Sequence, residues 1–377
     1  MALEAVSNDE MRGALERLAS HAGAELLAKQ PHWGDAILCD GLIYAATALE
    51  KGDPIEAAEK WFAPKLAQGP RLNGWFWFWA AEALPALDLH IMTEDARYLE
   101  YARTIVDFME NTAARTPDGA LVPHPPALEV WIDVCYFTAP AIAALGGKSH
   151  DDAMLERALD QMILHADHLV DSHTGLFWHV AYVDKKSHSA CLWARGNSWF
   201  SIAAPQVIDE IRMAEASSRF ADKIERISTA LARQLNAIAR LQDDSGLWRT
   251  VIDRPDSYLE ASSAAGFALA LGRALKAKLV GLDRDLAEAS YARALRAICA
   301  KISASGEFVG VSQQTPPGDF DFYNSIETGT APFATGVCLM ALSEATGYPA
   351  LLAALHEITV DLRARISEMK RWKTKKS

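Results

Sequence analysis

The chain has 377 residues and a mass of 41.2 kDa, enough for one large domain or two ordinary ones. Its formal net charge is −12, from 49 acidic and 37 basic residues. This balance argues against a surface that binds nucleic acids or anionic membranes through clustered Lys and Arg. Half of the residues are hydrophobic, and eleven are tryptophans, whose positions are the first clue to function.

The cysteines and the apolar segments indicate a cytoplasmic protein. Residues 1–20 are acidic and amphipathic, unlike a secretory signal. No window reaches about 18 uninterrupted apolar residues, so we predict no membrane span. The five scattered cysteines form no CxxC pair, as expected of reduced thiols. Because no zinc-ligand spacing is present either, we expect neither a metal ion nor another cofactor.

Apolar residues recur at three- and four-residue spacing through most of the chain, which is the pattern of amphipathic helices. In chain order the predicted helices span 11–29, 35–51, 55–66, 75–87, 94–114, 130–145, 151–170, 193–212, 217–241, 258–276, 284–302, 333–345 and 351–369. This helical content is far above the usual share of about a third. No Pro- or Ser-rich linker divides the chain, so we predict one domain over residues 1–377.

Four segments between predicted helices share a pattern: Asp or Ser before a turn glycine, then a run suited to a short strand. Their glycines are Gly119, Gly175, Gly246 and Gly306, at intervals of roughly 60 residues. Such self-similarity indicates a repeated helical hairpin, and six hairpins would account for the chain. We therefore predict an all-α fold, an (α/α)6 toroid with short strands in the loops at one mouth. An open α-solenoid is the alternative, but its shorter repeat period is absent.

The segment Glu129-Val-Trp-Ile-Asp133 opens one predicted helix, so Asp133 lies at a helix start among bulky apolar residues. The helix N-terminus favours the anion by about 0.3–1 kcal/mol. Desolvation by Trp131, Tyr136 and Phe137 should favour the protonated carboxyl more strongly. If the site closes, Asp133 is a candidate general acid near neutral pH. The alternative is an ordinary first-turn Asp, which is favourable in any helix.

A second motif, Trp193-Ala-Arg195-Gly-Asn197-Ser-Trp199, opens another predicted helix. Its two aromatic rings and guanidinium suit a planar anionic sugar ring, because Arg can grip a carboxylate with a bidentate fork. The alternative is a surface Arg stacked on Trp. His179, shortly after Gly175, should share the mouth with Asp133, although a lone His is more often structural. Most of the tryptophans lie at similar loop–helix junctions, where aromatic faces could pack on sugar rings.

With its V-W-x-D and W-x-R-G-N-x-W motifs, the chain resembles glycoside hydrolase family 105, the unsaturated rhamnogalacturonyl hydrolases, over nearly its whole length. That family is related to the unsaturated glucuronyl hydrolases of family 88, and its members fold as (α/α)6 barrels. The resemblance implies that Asp133 is the catalytic acid/base. The residues implied to bind substrate are Trp33, Asp40, Asn73, Trp131, His179, Trp193, Arg195 and Trp199.

One departure from the family concerns a second Asp ahead of the fourth helix, where this chain has Asn73 instead. Either Asn73 takes a hydrogen-bonding role or substrate handling differs. The implied reaction is hydration of the C4–C5 double bond in an unsaturated uronate at the non-reducing end of a lyase product. A single carboxylate, Asp133, would act first as acid and then as base, unlike the usual carboxylate pair. The implied substrate is a pectin fragment, unsaturated galacturonyl-rhamnose.

Two other functions stay open from the residues alone. A sugar epimerase or isomerase on the same barrel would need paired histidine bases, and only His179 is well placed. A non-catalytic helical scaffold would bind carbohydrate without forming product. In each case we expect a small oligosaccharide as the partner, no nucleic acid or membrane, and a monomer or homodimer.

Overall fold

The structure, a computed structural model, describes residues 6–28, 32–73 and 76–347. The helix predicted over 351–369 and the start of the one predicted over 75–87 lie outside these ranges, and the single domain over 1–377 stays a prediction. The described α-helices are α1 (Asn8–Ala28), α2 (Asp35–Leu49), α3 (Asp53–Gln68), α4 (Phe76–Ala80), α5 (Ala83–Thr93), α6 (Ala96–Asn111), α7 (Ile132–Ser149), α8 (Asp152–Leu169), α9 (Ala194–Met213), α10 (Ala221–Arg240), α11 (Ala261–Lys276), α12 (Arg284–Ala300), α13 (Phe320–Ser325) and α14 (Pro332–Ala345). The described strands are β1 (Glu129–Trp131), β2 (Val180–Tyr182), β3 (Ser187–His188), β4 (Trp248–Arg249), β5 (Leu259–Glu260), β6 (Val311–Ser312) and β7 (Thr328–Gly329).

Twelve of these helices alternate between an outer and an inner layer. The inner helices are α2, α5, α7, α9, α11 and α14, and each packs against the next around a ring. Helix α14 packs against α2 and closes the ring, as predicted for an (α/α)6 barrel and unlike an open solenoid. A side chain on Gly41 of α2 would overlap the backbone of Gly336 in α14, so paired glycines permit this close approach.

The composition of the helices explains their layers. All fifteen residues of α2 are buried, because an inner helix is covered by neighbours on every side. Outer helices such as α10 bury only one apolar stripe, which packs on the inner ring, and expose the opposite face. The width of the apolar face therefore determines whether a helix lies in the inner or the outer layer.

The repeated turn glycines connect the outer helices to one another. All four have positive φ, between +80° and +103°, which an L side chain rarely adopts. A Cβ on Gly246 would overlap the carbonyl of Arg293 in α12, and one on Gly306 would overlap that of Arg17 in α1. These turns thus contact the following outer helix, and the turn at Gly306 also joins the last outer helix to the first.

The short strands lie in the loops that lead into inner helices. Strands β1, β2 and β3 form an antiparallel sheet, while β4 pairs with β5 and β6 with β7. Because β1, β5 and β7 come just before α7, α11 and α14, the pairings bring the N-terminal ends of inner helices to one mouth. These ends carry partial positive charge, which favours anions.

Two helices differ from the sequence prediction. The helix predicted over 75–87 is interrupted after α4, and α5 begins at Ala83, with Pro85 in its first turn, where the missing N–H is not needed. Helix α13 was not predicted, because six residues are too few for an amphipathic pattern; the side chain of Asp319 caps it by accepting from Phe322 N. No helix in the described ranges is long and apolar enough to cross a bilayer.

Candidate active site

Asp133 is the second residue of α7 and is 8% exposed. Its Oδ2 lies 3.5 Å from Nε2 of His179, and this buried oxygen has no hydrogen bond in the described structure. Backbone pairing fixes the two side chains side by side, because Ile132 N donates to His179 O and β1 runs antiparallel to β2. The strand pairing, not the helix alone, therefore positions the carboxylate.

The imidazole of His179 is held on several sides. Its Nδ1 lies 2.6 Å from the hydroxyl of Tyr323. The ring of Trp193 lies against it at 4.3 Å between centroids, and Trp131 approaches edge-on at 5.4 Å. Because His179 is 1% exposed, its orientation is fixed before any substrate enters.

Arg195 is the second residue of α9 and is 2% exposed. One terminal nitrogen donates to Ser262 Oγ (3.0 Å) and Ser312 O (2.7 Å). The other donates to Gln313 O and Thr315 Oγ1, both at 2.9 Å. The bidentate grip on a substrate carboxylate expected from the sequence does not agree with this geometry, because both terminal nitrogens already donate twice to the protein.

The guanidinium of Arg195 nevertheless lies within the site. It stacks on the rings of Trp193 and Phe333, at 4.4 and 4.6 Å from the ring centroids. Burial lowers the pKa of Arg195, while the charges of Glu260 and Asp133 act in the opposite direction. The guanidinium remains a cation, so it supplies a fixed positive charge beside the acid.

The barrel repeat explains why these residues meet. Asp133, Arg195, Ser262 and Phe333 are each the second residue of an inner helix, in α7, α9, α11 and α14. Equivalent positions of successive hairpins therefore surround the mouth. Residues that are far apart in the sequence therefore lie close together in the structure.

Several buried polar atoms in this cluster lack a hydrogen-bond partner among the described residues. They are Asp133 Oδ2, Trp193 Nε1, Arg195 Nε and Trp199 Nε1. Buried polar groups in native proteins are normally satisfied. Three donors and one carboxylate oxygen concentrated at one mouth therefore suit a polar, anionic ligand such as a uronate.

The remaining predicted aromatic residues lie around this cluster. Trp131 is half-buried and donates through Nε1 to Glu129 (2.8 Å). Trp199 lies deeper, stacked on Tyr136 at 4.9 Å. Trp33 stacks on Phe333 at 4.8 Å, with the rings 10° from parallel. Since Arg195 also stacks on Phe333, that ring links Trp33 to the cluster around Asp133.

Asn73 is exposed and lines a cavity of about 670 Å³ beside the cluster. Trp33 lines the same cavity, together with Lys65 and Glu82, which form an ion pair. Asp133 does not line it, but Trp33 does, and the ring of Trp33 stacks on Phe333 of the cluster. The cavity volume is large enough for a small-molecule ligand.

Asp40 lies in the barrel interior. It is 1% exposed in the middle of α2, and neither of its carboxylate oxygens has a hydrogen-bond partner among the described residues. Burial and the nearby charge of Asp88 raise the pKa of the Asp40 carboxyl well above its ordinary value. Asp40 also lines a small cavity with Tyr136 and Phe137, and its role in binding substrate stays a prediction.

Several residues around Asp133 were not predicted from the sequence. Tyr323 lies in the unpredicted helix α13, and no periodic signal marks it. His124 packs on Trp131 at 4.9 Å, from one of the repeat segments. Glu260 accepts hydrogen bonds from the backbone of Ser262 and caps α11.

Comparison with known proteins agrees with this fold. The model of Glycosyl Hydrolase Family 88 matches residues 8–348. The unsaturated rhamnogalacturonyl hydrolase YesR of Bacillus subtilis (strain 168) is 30% identical over 249 residues, which cover 63% of this chain and 69% of the relative. The unsaturated 3S-rhamnoglycuronyl hydrolase of Alteromonas sp. (strain LOR) is 26% identical over 129 residues, 33% of this chain and 30% of the relative.

Solved structures give the same result. A possible member of family GH105 from Salmonella enterica serovar Paratyphi A is 25% identical, with a TM-score of 0.80 over 92% of this chain and 96% of that one. An unsaturated glucuronyl hydrolase from Bacillus sp. GL1 is 14% identical and shares the fold, with a TM-score of 0.67 over 89% and 96%.

The fold and these relatives define a glycoside hydrolase built on an (α/α)6 barrel. The chain belongs to glycosyl hydrolase family 88, and the predicted resemblance to family 105 and its relationship to family 88 is confirmed. It is therefore an enzyme that hydrolyses glycosides.

Proposed function

We propose that the enzyme removes the Δ4,5-unsaturated uronate from the non-reducing end of lyase-generated oligosaccharides, with Asp133 as general acid and base. The observation that carries this proposal is the buried, unbonded Oδ2 of Asp133 facing His179 beside the cation of Arg195. Neighbouring carboxylates are engaged elsewhere, because Glu129 accepts from Trp131 Nε1 and Glu260 caps α11.

The first chemical step is proton transfer to carbon. The protonated carboxyl of Asp133 gives its proton to C4 of the substrate, and the C4–C5 π electrons form the new C–H bond. Positive charge then develops at C5 and is shared with the ring oxygen. The carboxyl suits this step because Oδ2 makes no hydrogen bond in the described structure and does not have to leave a protein partner.

The second step returns the proton. Asp133, now a carboxylate, accepts a proton from a water molecule whose oxygen bonds to C5, which gives a hemiketal. The C5–O5 bond breaks to form a C5 ketone, and the hemiacetal left at C1 releases the remaining sugar as an alcohol. One water is consumed, and Asp133 ends in its starting form, so a single carboxylate suffices.

The surroundings of Asp133 suit the substrate's charge and shape. The fixed cation of Arg195 and the N-terminal ends of inner helices favour the uronate carboxylate. The free Nε1 of Trp193 and Nε of Arg195 provide donors for it. The cavity lined by Trp33 and Asn73 would hold the leaving sugar, with Asn73 as a hydrogen-bonding group.

The proposed substrate is unsaturated galacturonyl-rhamnose, a product of pectin cleavage. The Bacillus subtilis relative is named an unsaturated rhamnogalacturonyl hydrolase, which supports this choice. The Alteromonas relative is named an unsaturated 3S-rhamnoglycuronyl hydrolase, which makes a sulfated disaccharide the useful competitor. We also propose that the enzyme acts in the cytoplasm on imported fragments, in accord with its five free cysteines.

A substrate panel tests the proposal. Unsaturated galacturonyl-rhamnose, an unsaturated glucuronyl disaccharide and a 3-sulfated rhamnose analogue are each followed by loss of the double-bond absorbance. We expect the first to react fastest. Asp133→Asn should lower kcat by about 10²–10⁴-fold and keep the fold, while the matched control Glu129→Gln should retain most activity.

Two results would overturn parts of the proposal. Near-normal turnover by Asp133→Asn would show that Asp133 is not the general acid and base. Preference for a sulfated or glucuronyl substrate would replace the proposed substrate but keep the reaction. Circular dichroism of each variant separates loss of chemistry from loss of folding.

A further inference from the structure

We propose that Tyr323 is a positioning residue that holds His179 in one neutral tautomer, with its proton on Nε2 and directed at Asp133. This inference rests on the proposed function for its catalytic consequence, but the tautomer itself can be measured independently. The observation behind it is a chain of three polar groups: the Tyr323 hydroxyl 2.6 Å from Nδ1, and Nε2 3.5 Å from Asp133 Oδ2.

The direction of the first hydrogen bond follows from chemistry. Tyr323 is fully buried, and burial raises the pKa of Tyr323 well above its ordinary value, so the phenol keeps its proton. If the hydroxyl donates to Nδ1, the imidazole proton must reside on Nε2 and face the carboxylate. The opposite tautomer would point a nitrogen lone pair at Oδ2 once Asp133 has given its proton to substrate, which is repulsive.

The segment that carries Tyr323 is well anchored. Tyr323 packs with Cys191, Trp193 and Val251 in a small hydrophobic cluster separate from the main core. Phe320, on the same short helix, packs at the edge of this cluster and lies 3.8 Å beneath the guanidinium of Arg254. The phenol therefore has a fixed position from which to orient a side chain 144 residues away in sequence.

The consequence for catalysis is specific. After Asp133 protonates C4 it becomes a carboxylate, and an Nε2–H directed at Oδ2 stabilises that state. The same contact fixes the carboxyl and leaves its other oxygen to exchange the proton with substrate. Because this stabilisation acts when charge appears on Asp133, Tyr323 should affect kcat far more than KM.

The kinetic test removes the hydroxyl alone. Tyr323→Phe should lower kcat about 10–100-fold with little change in KM. The matched control is Tyr44→Phe, which removes another buried hydroxyl, one that accepts from Arg273 at 3.2 Å in the barrel interior. A comparable fall in kcat for Tyr44→Phe would contradict the positioning role, because it would show that loss of any buried hydroxyl lowers kcat.

A double-mutant cycle shows whether Tyr323 acts through His179. His179→Gln keeps an N–H near the Nε2 position but has no acceptor at the Nδ1 position. In this background Tyr323→Phe should have almost no further effect on kcat. Independent, multiplicative losses in the two variants would contradict the proposal.

The tautomer is read directly from the ¹⁵N chemical shifts of His179 in histidine-labelled enzyme, assigned by its disappearance in His179→Gln. We expect a protonated Nε2 and an unprotonated Nδ1 in the wild type, and loss of this preference in Tyr323→Phe. A protonated Nδ1 in the wild type would overturn the inference. Since the measurement needs no turnover, it remains decisive even if no panel substrate reacts, an outcome that would refute only the proposed function.

Discussion

The guanidinium of Arg195 donates to the hydroxyl of Ser262 at 3.0 Å, and so connects the first turns of α9 and α11. Ser262 in turn donates to Glu260 at 2.6 Å. The same guanidinium binds the backbone at Ser312, at the end of β6. Arg195 therefore braces three segments of the mouth, and its position determines the shape of the site as well as its charge.

Arg195→Lys should lower both stability and activity. A lysine ammonium has three donors at one point and cannot span the four acceptors that the planar guanidinium reaches. We expect the free energy of unfolding to fall by about 3–5 kcal/mol and kcat/KM by about 100-fold, as segments of the mouth shift. Urea denaturation and steady-state kinetics measure the two effects.

The control for this prediction is Arg254→Lys. Arg254 also stacks on an aromatic ring, but it is exposed and pairs with Asp256 at 3.0 Å. Its replacement should change stability by less than about 1 kcal/mol. If Arg195→Lys changed stability as little as Arg254→Lys, the bracing role of Arg195 would be contradicted.

Most of the barrel could be predicted from the sequence, because inner helices such as α2 are apolar on nearly all sides and outer helices such as α10 have one apolar stripe. The four repeat glycines indicated that the helical hairpin is repeated. Each of them occupies a turn with positive φ, which favours glycine. Two aromatic–polar motifs then predicted Asp133 and Arg195 as site residues. These patterns are local in the sequence, so they can be recognised without any knowledge of tertiary contacts.

The rest of the site depended on contacts that no local pattern encodes. The four acceptors of Arg195 come from residues 67 to 120 positions away, so its use as a brace was not visible in its motif. Tyr323 lies on a helix too short for periodicity. Asp40 was implied only by the family resemblance, and its closeness to Asp88 of α5, whose charge raises its pKa, was not visible in its own helix. In each case the deciding partner lies on another hairpin.

Trp33→Ala should weaken substrate binding without abolishing chemistry. Trp33 lines the cavity and stacks on Phe333, so it offers an aromatic face to the leaving sugar while remaining outside the group that contacts Asp133. Loss of this face should raise KM about tenfold and change kcat little. Trp178→Ala, which removes a ring stacked on His188 away from the cavity, should leave KM unaltered. A fall confined to kcat would show that Trp33 acts on the chemical step instead.

Gly246→Ala should destabilise the barrel. The residue has φ of +86°, and a Cβ would overlap the backbone carbonyl of Arg293 in α12, which cannot move as a side chain could. We expect a loss of about 2–4 kcal/mol in the free energy of unfolding, from strain and the displaced helix. Gly52→Ala is the matched control, because a Cβ there meets no atom within 4 Å. Equal stability of the two variants would contradict the packing role of the repeat turns.

The carboxyl of Glu210 makes stability depend on pH. It is 7% exposed in α9, and burial, with added repulsion from Asp88 and Asp209, raises the pKa of Glu210 to about 8. The unfolded chain releases this proton near its ordinary pKa of 4.5. Between these two values the folded state holds more protons than the unfolded state, so stability falls as the pH rises. Below about 4.5 and above about 8 this dependence should vanish.

Glu210→Gln removes the titration while keeping the shape of the side chain. The shift predicts that the variant gains about 3–5 kcal/mol relative to wild type between pH 4.5 and 8, since each pKa unit is worth about 1.4 kcal/mol. Taking the difference between the two proteins cancels most of the contribution of the Asp40–Asp88 pair, which titrates in the same direction. Urea denaturation at half-unit steps of pH measures it, with Glu225→Gln on the exposed face of α10 as the control. Parallel stability curves for wild type and Glu210→Gln would show that water or a counter-charge reaches this carboxyl and that the barrel interior beneath the site is less enclosed than its packing indicates.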